Sequence, residues 1–462
     1  MKENAWNTYT DEDMEIMDAL IKDYKYFLDH GKTERECVRQ IIATARQCGY
    51  VSLEEVIKTG ALLRHGSKVY AQTKGKAVVL LNIGVFPIEE GMNILGAHID
   101  SPRMDVKMNP LYEDSELAYL DTHYYGGIKK YLWVTLPMAL HGTVVKKDGT
   151  HVDINIGDNE DDPVVGVTDL LIHLSAKEME KKAAVVVEGE KLDVLIGSKP
   201  LKDSEEKEQV KANILNILKE KYDIEEDDFL SAEIEVVPAG KAKDFGLDRS
   251  MVMAYGQDDR VCAYTSLMAM LAINDPTRTT ACVLVDKEEI GSVGASSMGS
   301  KFFENTIAEV LHAMGKYNDL TLRRTLANSK MLSSDVSAAY DPLYASVFEK
   351  KNTAFLGHGV VFNKYTGSRG KVESNDAGAE YIARIRRVMD DKKVAFQFAE
   401  LGHVDAGGGG TIAYIPAAYD MDVIDCGVAV LNMHAPWEIT SKSDIYEAEK
   451  CYEAFLSNKD WF

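Results

Sequence analysis

Apolar residues recur at helical spacing in the first part of the chain and then give way to short apolar runs. Residues 11–45 carry the helical pattern, with a capping-box sequence that begins at Thr33. Apolar runs follow at 69–72 and 77–83, separated by a short turn sequence, and again at 91–99. The pattern therefore predicts a helical N-terminal segment, a β-hairpin and a further buried strand.

The middle of the chain, from about residue 104 to residue 237, has a different pattern. It consists of short alternating segments and turns, interrupted by charged segments at 169–180 and 204–222 that predict helices. Residues 183–196 predict a pair of strands. This part of the sequence therefore predicts an inserted, mostly β module.

Strand, turn and helix alternate after about residue 244. Residues 250–255 and 279–285 predict strands, and the apolar segment 261–273 between them predicts a helix. Such alternation is typical of a mainly parallel sheet with helices on both faces. We therefore predict the α/β class, in which a doubly wound, mixed sheet forms the main domain and a β-rich domain interrupts it.

Charge and composition exclude several classes of function. The chain of 462 residues has 52 Lys and Arg against 74 Asp and Glu, a formal net charge of −22. Nucleic acids and anionic membranes need a basic surface, so we expect neither as a partner. The six cysteines form no C-x-x-C pair and the first residues are polar, so we expect a cytoplasmic location without a signal peptide.

Histidine and acidic residues stand where the predicted strands end, which is where ligands bind in such sheets. His98 and Asp100 close one apolar run and, being two residues apart, share a face of an extended chain. Glu288 and Glu289 directly follow a buried strand and precede a Gly- and Ser-rich segment. The His-x-Asp pattern is weak alone, because it occurs twice more in the chain.

The remaining candidates have structural alternatives. Asp258 follows a predicted strand and could equally cap the next helix, and His434 could be a core histidine. Together, however, the candidates match a site for two divalent cations, which needs about six protein ligands, one bridging carboxylate and a free acid that accepts a proton. The candidate ligands are His98, Asp258, Glu289, Asp335 and His434, with Glu288 as the base.

Ordered motifs carry a family resemblance across almost the whole chain. They are FLD (27–29) with KTERE (32–36), GAHIDSPR (96–103), YGG (125–127), DDR (258–260), DKEEIGS (286–292), SSD (333–335) and MHAPWE (433–438). On these motifs the sequence resembles the aspartyl aminopeptidase and aminopeptidase I family of dinuclear zinc exopeptidases.

The resemblance implies two divalent metal ions per subunit, zinc in the first place, with cobalt or manganese as alternatives. His98 and Asp335 correspond to ligands of one ion, and Glu289 and His434 correspond to ligands of the other. Asp258 resembles the carboxylate that bridges the two ions.

The resemblance also implies a reaction, the hydrolysis of the N-terminal peptide bond of peptide substrates. Asp100 matches the residue that orients His98, and Glu288 matches the general base and acid. In the implied mechanism the metals polarise the scissile carbonyl and lower the pKa of the water between them. Glu288 takes the proton of that water and passes it to the leaving amine.

The family architecture implies how the chain is divided. A discontinuous catalytic domain, residues 1–103 and 246–462, is interrupted by a β-rich dimerisation domain over residues 104–245. Dimers are expected to assemble into a homododecamer. Residues 172–174 resemble a segment that brings a histidine to a neighbouring active site, so His173 is an expected substrate contact.

Two departures from the family concern substrate preference. Members with an acidic preference carry lysine where Phe362 stands, so an apolar or broad preference is an equal alternative here, with Lys364 as a candidate substrate contact. The family commonly has a histidine where Ala338 stands.

Two other functions stay open at this point. A deacylase or carboxypeptidase would use the same metal core, and a non-catalytic shell protein would hold the metals structurally. The presence of Glu288 argues against a shell, because a structural metal site needs no base.

Overall fold

The computed structural model describes residues 3–461, and these form two compact units. Unit 1 comprises the chain up to Asp100, Ala242–Met433 and the chain from Glu438 onward. Unit 2 comprises Ser101–Lys241 and the short segment His434–Trp437. Among the described residues, no helix is both long enough and apolar enough to cross a membrane.

The strands are numbered in chain order. Strands β1–β10 are Val51–Ser52, Lys68–Thr73, Ala77–Asn82, Asn93–His98, Arg103–Asp114, Leu117–Tyr125, Met138–Val145, His151–Ile156, Val194–Gly197 and Ala232–Pro238. Strands β11–β20 are Lys243–Phe245, Met251–Ala254, Thr280–Val285, Lys330–Ser333, Ser337–Ala338, Val360–Asn363, Phe396–Phe398, Asp422–Gly427, Ala429–Leu431 and Glu438–Ser441.

The α-helices are numbered in the same way. Helices α1–α6 are Asp11–His30, Glu34–Gln47, Leu53–Thr59, Ala176–Met179, Ala183–Val186 and Gln209–Tyr222. Helices α7–α12 are Gln257–Ala272, Phe302–Ala313, Asp319–Ala327, Ala379–Asp391, Tyr414–Ala417 and Lys442–Ser457.

Unit 1 is built on a nine-stranded mixed sheet with the order β1-β2-β3-β13-β4-β14-β18-β16-β17. Strands β13, β4, β14 and β18 are parallel to one another, whereas β3 and β16 run antiparallel to their neighbours β13 and β18. Adjacent residues of the central strands face opposite sides of the sheet. One side is covered by helices α1, α2, α7, α10 and α12, and the other side by α3, α8 and α9. The predicted α/β class and doubly wound, mixed sheet are confirmed.

Local sequence signals account for the first elements of unit 1. The hydroxyl of Thr33 accepts a hydrogen bond from the Glu36 N–H, and the Glu36 carboxylate accepts one from the Thr33 N–H, so the predicted capping box starts α2. Strands β2 and β3 pair as the predicted antiparallel hairpin. Unit 1 also holds a five-stranded sheet, β11-β12-β20-β19-β15, which the sequence pattern did not predict.

Unit 2 contains a six-stranded antiparallel sheet with the order β8-β7-β10-β5-β6-β9, together with α6. Two predictions were wrong here. The helix predicted over 169–180 is a 3-10 turn followed by the single turn α4, and the strand pair predicted over 183–196 is the short helix α5 and the one strand β9. Short apolar runs fit helix and strand equally well, so periodicity could not distinguish them.

Asp425 is an ionisable side chain inside the main sheet. It lies on β18, opposite Ser333 of β14 and Asn363 of β16, and is 2% exposed. Burial raises the pKa of Asp425 to about 7, and the hydroxyls of Thr411 and Ser333 only partly oppose this shift. The folded protein therefore holds the Asp425 proton more tightly than the unfolded chain does.

We expect Asp425→Asn to raise the thermal midpoint relative to wild type more at pH 8 than at pH 5. The pKa of Asp425 is higher in the folded state, so its protonation stabilises the fold at low pH, and this stabilisation is lost as the pH rises to about 7. Because Asn stays neutral, the stability of the variant relative to wild type rises by roughly 3 kcal/mol between pH 5 and pH 8. Asp420→Asn, at an exposed position, is the control, and an equal effect of Asp425→Asn at both pH values would contradict the prediction.

Candidate metal centre

His98, Asp335 and the turn that carries Glu288 and Glu289 come together because three parallel strands end at the same edge of the main sheet. Strand β4 ends at His98, β13 ends just before the 3-10 turn Glu288–Ile290, and β14 ends two residues before Asp335. Strand β4 pairs in parallel with both β13 and β14, so the carboxyl ends of all three strands lie side by side. Residues nearly 240 positions apart in the chain thereby meet, as the sequence predicted from strand ends.

Asp258 reaches the same edge from the start of α7. The helix follows Gly256, whose φ of +71° lies in the left-handed region that favours glycine, and Gly256 is the N-cap residue. Asp258 and Asp259 have non-helical backbone angles, so the regular part of the helix begins after them. The Asp258 N–H donates to Oε2 of Glu438 at 3.0 Å, which fixes the backbone at this point.

A buried group of one histidine and two carboxylates forms the core of the site. Nε2 of His98 lies 3.2 Å from Oδ1 of Asp258 and 3.9 Å from Oδ1 of Asp335, and all three side chains offer ligand atoms within 4.8 Å of one another. Their side chains are 2%, 5% and 12% exposed. Oε2 of Glu288 lies 3.9 Å from the same His98 nitrogen, at the side of this group.

Asp100 connects two parts of the site. Its Oδ1 lies 3.3 Å from Nδ1 of His98, and its own carbonyl oxygen lies 3.0 Å from that nitrogen, so the ring is held with Nε2 directed to the acids. The Asp100 carboxylate also accepts hydrogen bonds from the N–H groups of Glu288 and Glu289, both at 3.1 Å. Asp100 therefore positions the His98 ring and the turn that carries both glutamates.

The electrostatics of the group favour a bound cation. Burial lowers the pKa of His98, but hydrogen bonds with Asp100 and Asp258 outweigh it and hold that pKa well above its ordinary value. Burial, and then the charge of Asp259, raise the pKa of Asp335 well above its usual range. Carboxylates packed this closely away from water need a compensating positive charge, and imidazole with carboxylate is a donor set that zinc prefers. The residues therefore fit a zinc ion.

Two residues of the site were not given a role by the sequence. Asp259 is fully buried, and its Oδ2 accepts a hydrogen bond from the His98 N–H at 3.3 Å, while Glu438 holds the backbone of Asp258. Both belong to motifs that carry the family resemblance, DDR and MHAPWE. The sequence therefore marked these two positions but did not reveal their contacts.

Of the other predicted residues, Glu289 lies in unit 1, whereas His434 and His173 lie in unit 2. Glu289 and Asp258 each offer a carboxylate oxygen within 4.8 Å of the other. His434 belongs to unit 2, where its Nδ1 lies 2.8 Å from the carbonyl oxygen of Gly127. His173 also belongs to unit 2, and it is exposed on a one-turn 3-10 helix.

The substrate-preference residues both lie at the end of β16. Phe362 is fully buried and packs against Phe396 and Phe398, so it is a core residue of unit 1. Lys364 is about half exposed, and its Nζ lies 3.6 Å from Oδ1 of Asp376. Neither residue belongs to the acidic group around His98.

Comparisons with known proteins agree with this geometry. Residues 27–456 match the family described as aminopeptidase I zinc metalloprotease (M18). A probable M18 family aminopeptidase 1 of Clostridium acetobutylicum is 60% identical over 455 residues, which is 98% of each chain. The crystal structure of an M18 family aminopeptidase from Thermotoga maritima superposes with a TM-score of 0.94 at 43% identity, covering 99% of each chain.

A more distant solved structure, described as the mApe1 dodecamer of S. cerevesiae, has a TM-score of 0.77 at 18% identity and covers 96% of this chain and 97% of that chain. At that identity it shows a shared fold alone. The family match extends over the inserted unit as well as the metal core, which favours an aminopeptidase over the deacylase, carboxypeptidase and shell alternatives. The chain therefore belongs to the aminopeptidase I, or M18, family of zinc metalloproteases, and it is a zinc aminopeptidase.

Proposed function

We propose that the centre binds two divalent cations in each subunit, zinc in preference to cobalt or manganese. His98 and Asp335 would hold one ion, Glu289 and His434 the other, and Asp258 would bridge them. The proposal is supported by the position of Asp258, which offers an oxygen 3.2 Å from Nε2 of His98 and an oxygen within 4.8 Å of Glu289.

Glu288 is the proposed general base and acid. When bound, zinc polarises the scissile carbonyl and makes water a stronger acid. The Glu288 side chain is 15% exposed and ends 3.9 Å from Nε2 of His98, so it can reach a water at the metal group and still exchange a proton with the substrate. Its carboxylate takes the proton from the attacking water and delivers it to the leaving amine. Asp100 holds the Glu288 backbone during both transfers.

The proposed substrates are peptides with a free N-terminus. Because Phe362 is buried in the core, the side chain at this position gives no reason for an acidic or an apolar preference. Lys364 and His173 are the proposed substrate contacts, Lys364 through its half-exposed ammonium group and His173 through its exposed ring.

Unit 2 is the proposed dimerisation domain, and unit 1 the proposed catalytic domain, of a homododecamer in the cytoplasm. Exposed apolar side chains around His173 support this role for unit 2. Leu171, Ile172, Leu174 and Met179 are 53%, 68%, 69% and 68% exposed in the isolated chain. A run of large apolar side chains on a surface is typical of an interface with another protein chain.

The experiment that tests this function is a hydrolysis assay after chelation and after addition of each metal. Aminoacyl p-nitroanilides covering all N-terminal residues are compared with N-acyl amino acids, and the mass in solution is measured on the same preparation. We expect chelation to abolish hydrolysis of the aminoacyl substrates and Zn²⁺ to restore it. Activity that persists after chelation, or that is confined to N-acyl substrates, would overturn the proposal.

A further inference from the structure

A cleft of about 820 Å³ lies in unit 1, apart from the metal centre. It is lined by the N-terminal turn, α1, the segment 244–251 and the start of α12, and none of the candidate metal ligands lines it. We call it the α1–α12 cleft and define it by Trp6, Lys25, Asp244, Arg249, Leu356 and Lys442.

Three basic side chains of the cleft share a single carboxylate. Oδ1 of Asp244 accepts from Nζ of Lys25 at 2.8 Å and from Nζ of Lys442 at 3.0 Å, and Oδ2 accepts from Nε of Arg249 at 2.9 Å. Burial raises the pKa of Asp244, but the hydrogen bonds from Lys25, Lys442 and Arg249 outweigh it and hold that pKa well below the usual range. Asp244 is therefore ionised, and its one charge faces three positive charges.

Two further acids of the cleft, Asp248 and Asp18, reduce this excess. The Asp248 carboxylate accepts hydrogen bonds from the N–H and hydroxyl of Ser250, and Asp18 is exposed on α1. Lys22 adds a further positive charge to the lining. Lys25 and Lys442 are only 27% and 10% exposed, so water screens their charges incompletely. The lining therefore carries four basic side chains against three acidic ones, a local excess of positive charge in a chain whose net charge is −22.

The remaining walls give the cleft an apolar side. Trp6, Met14 and Leu356 line it together with the basic group, which includes Lys442, the first residue of α12. Helix α12 has 16 residues, and the partial positive charge of its N-terminus adds to that of Lys442. Arg249 is 76% exposed, so its side chain can move to meet a ligand.

We propose that the α1–α12 cleft binds a small organic anion, a carboxylate or a phosphate monoester carried on an apolar body. Lys25, Arg249 and Lys442 hold the anionic group in competition with Asp244, and the apolar body lies against Trp6. The site is separate from the peptidase reaction, and the proposal does not depend on the roles assigned at the metal centre.

Calorimetric titration of the zinc-loaded full chain tests this proposal, with phenyl phosphate, benzoate and neutral benzyl alcohol as probes. We expect saturable binding of an anionic probe at one site per chain and none of benzyl alcohol. Arg249→Met and Lys442→Met should each weaken binding about tenfold, because each removes a charge-assisted hydrogen bond. Asp244→Asn should strengthen binding several-fold, because it removes the competing carboxylate.

The controls test whether the anion binds at this cleft. Lys58→Met changes an exposed lysine on α3 and should leave binding unaltered. Arg249 is mostly exposed, so its variant should fold even if Lys442→Met does not. Equal affinity in wild type, Arg249→Met and Asp244→Asn would place the anion elsewhere and overturn the proposal, as would the absence of saturable binding. The ratio of phenyl phosphate to benzoate affinity decides between phosphate and carboxylate.

Discussion

The Glu288→Gln variant is expected to keep its metal and to hydrolyse aminoacyl p-nitroanilides about 10² to 10⁴ times more slowly than wild type. Gln has nearly the shape of Glu and preserves the backbone hydrogen bond from residue 288 to Asp100, but its amide cannot accept the proton of the attacking water. The defect should lie in kcat rather than in KM, because proton transfer takes place in the transition state.

The control for this variant is its neighbour in the chain. Glu289→Gln alters a proposed metal ligand, so it should lower the metal content measured by atomic absorption, whereas Glu288→Gln should not. Near-normal turnover by Glu288→Gln would show that Glu288 is not the base. A loss of metal equal to that of Glu289→Gln would show that Glu288 acts as a ligand instead.

Asp335→Ala is expected to weaken zinc binding by more than about a hundredfold. Mutation of a residue that only hydrogen-bonds to a metal ligand already lowers metal affinity about 10- to 100-fold, and Asp335 is a proposed ligand itself. Asp335 lies 3.9 Å from Nε2 of His98, and with Asp258 it offers a carboxylate oxygen to the group around that histidine. Zinc stabilises the folded state by binding to it, so the rise in thermal midpoint on adding zinc to chelated protein should nearly vanish in the variant.

Asp341→Ala, six residues further along at a half-buried position, is the matched control and should keep the full zinc-induced rise. The measurement does not depend on activity, so it tests Asp335 as a ligand directly. An unchanged zinc response in Asp335→Ala would remove this residue from the metal centre.

The sequence predicted the main sheet well because its strands carry strong local signals. The short apolar runs of β3, β4 and β13 lie between turn sequences, which favours buried strands over helices, and a capping box fixes the start of α2. The convergence of His98 and Glu288 could also be predicted, because parallel neighbours end at one edge.

Other parts of the chain carried no such signal. Residues 183–196 have a short apolar pattern that fits either state, and their structure depends on β9 pairing with β6. Phe362 was compared with a substrate-binding lysine of the family, yet packing against Phe396 and Phe398 makes it part of the core. Its position in the sequence did not reveal which way its side chain faces.

The sequence by itself determined the α/β class and the family, and it is the source of the proposed set of metal ligands, because these depend on periodicity and on motifs within short segments. Only the tertiary structure decided that Asp100 supports both His98 and the turn of Glu288 and Glu289. Likewise, only the tertiary structure shows that Asp244 forms ion pairs with Lys25, Arg249 and Lys442. Hydrogen bonds and ion pairs act over a few ångströms between segments that are remote in the chain, and no local pattern records which of them will meet.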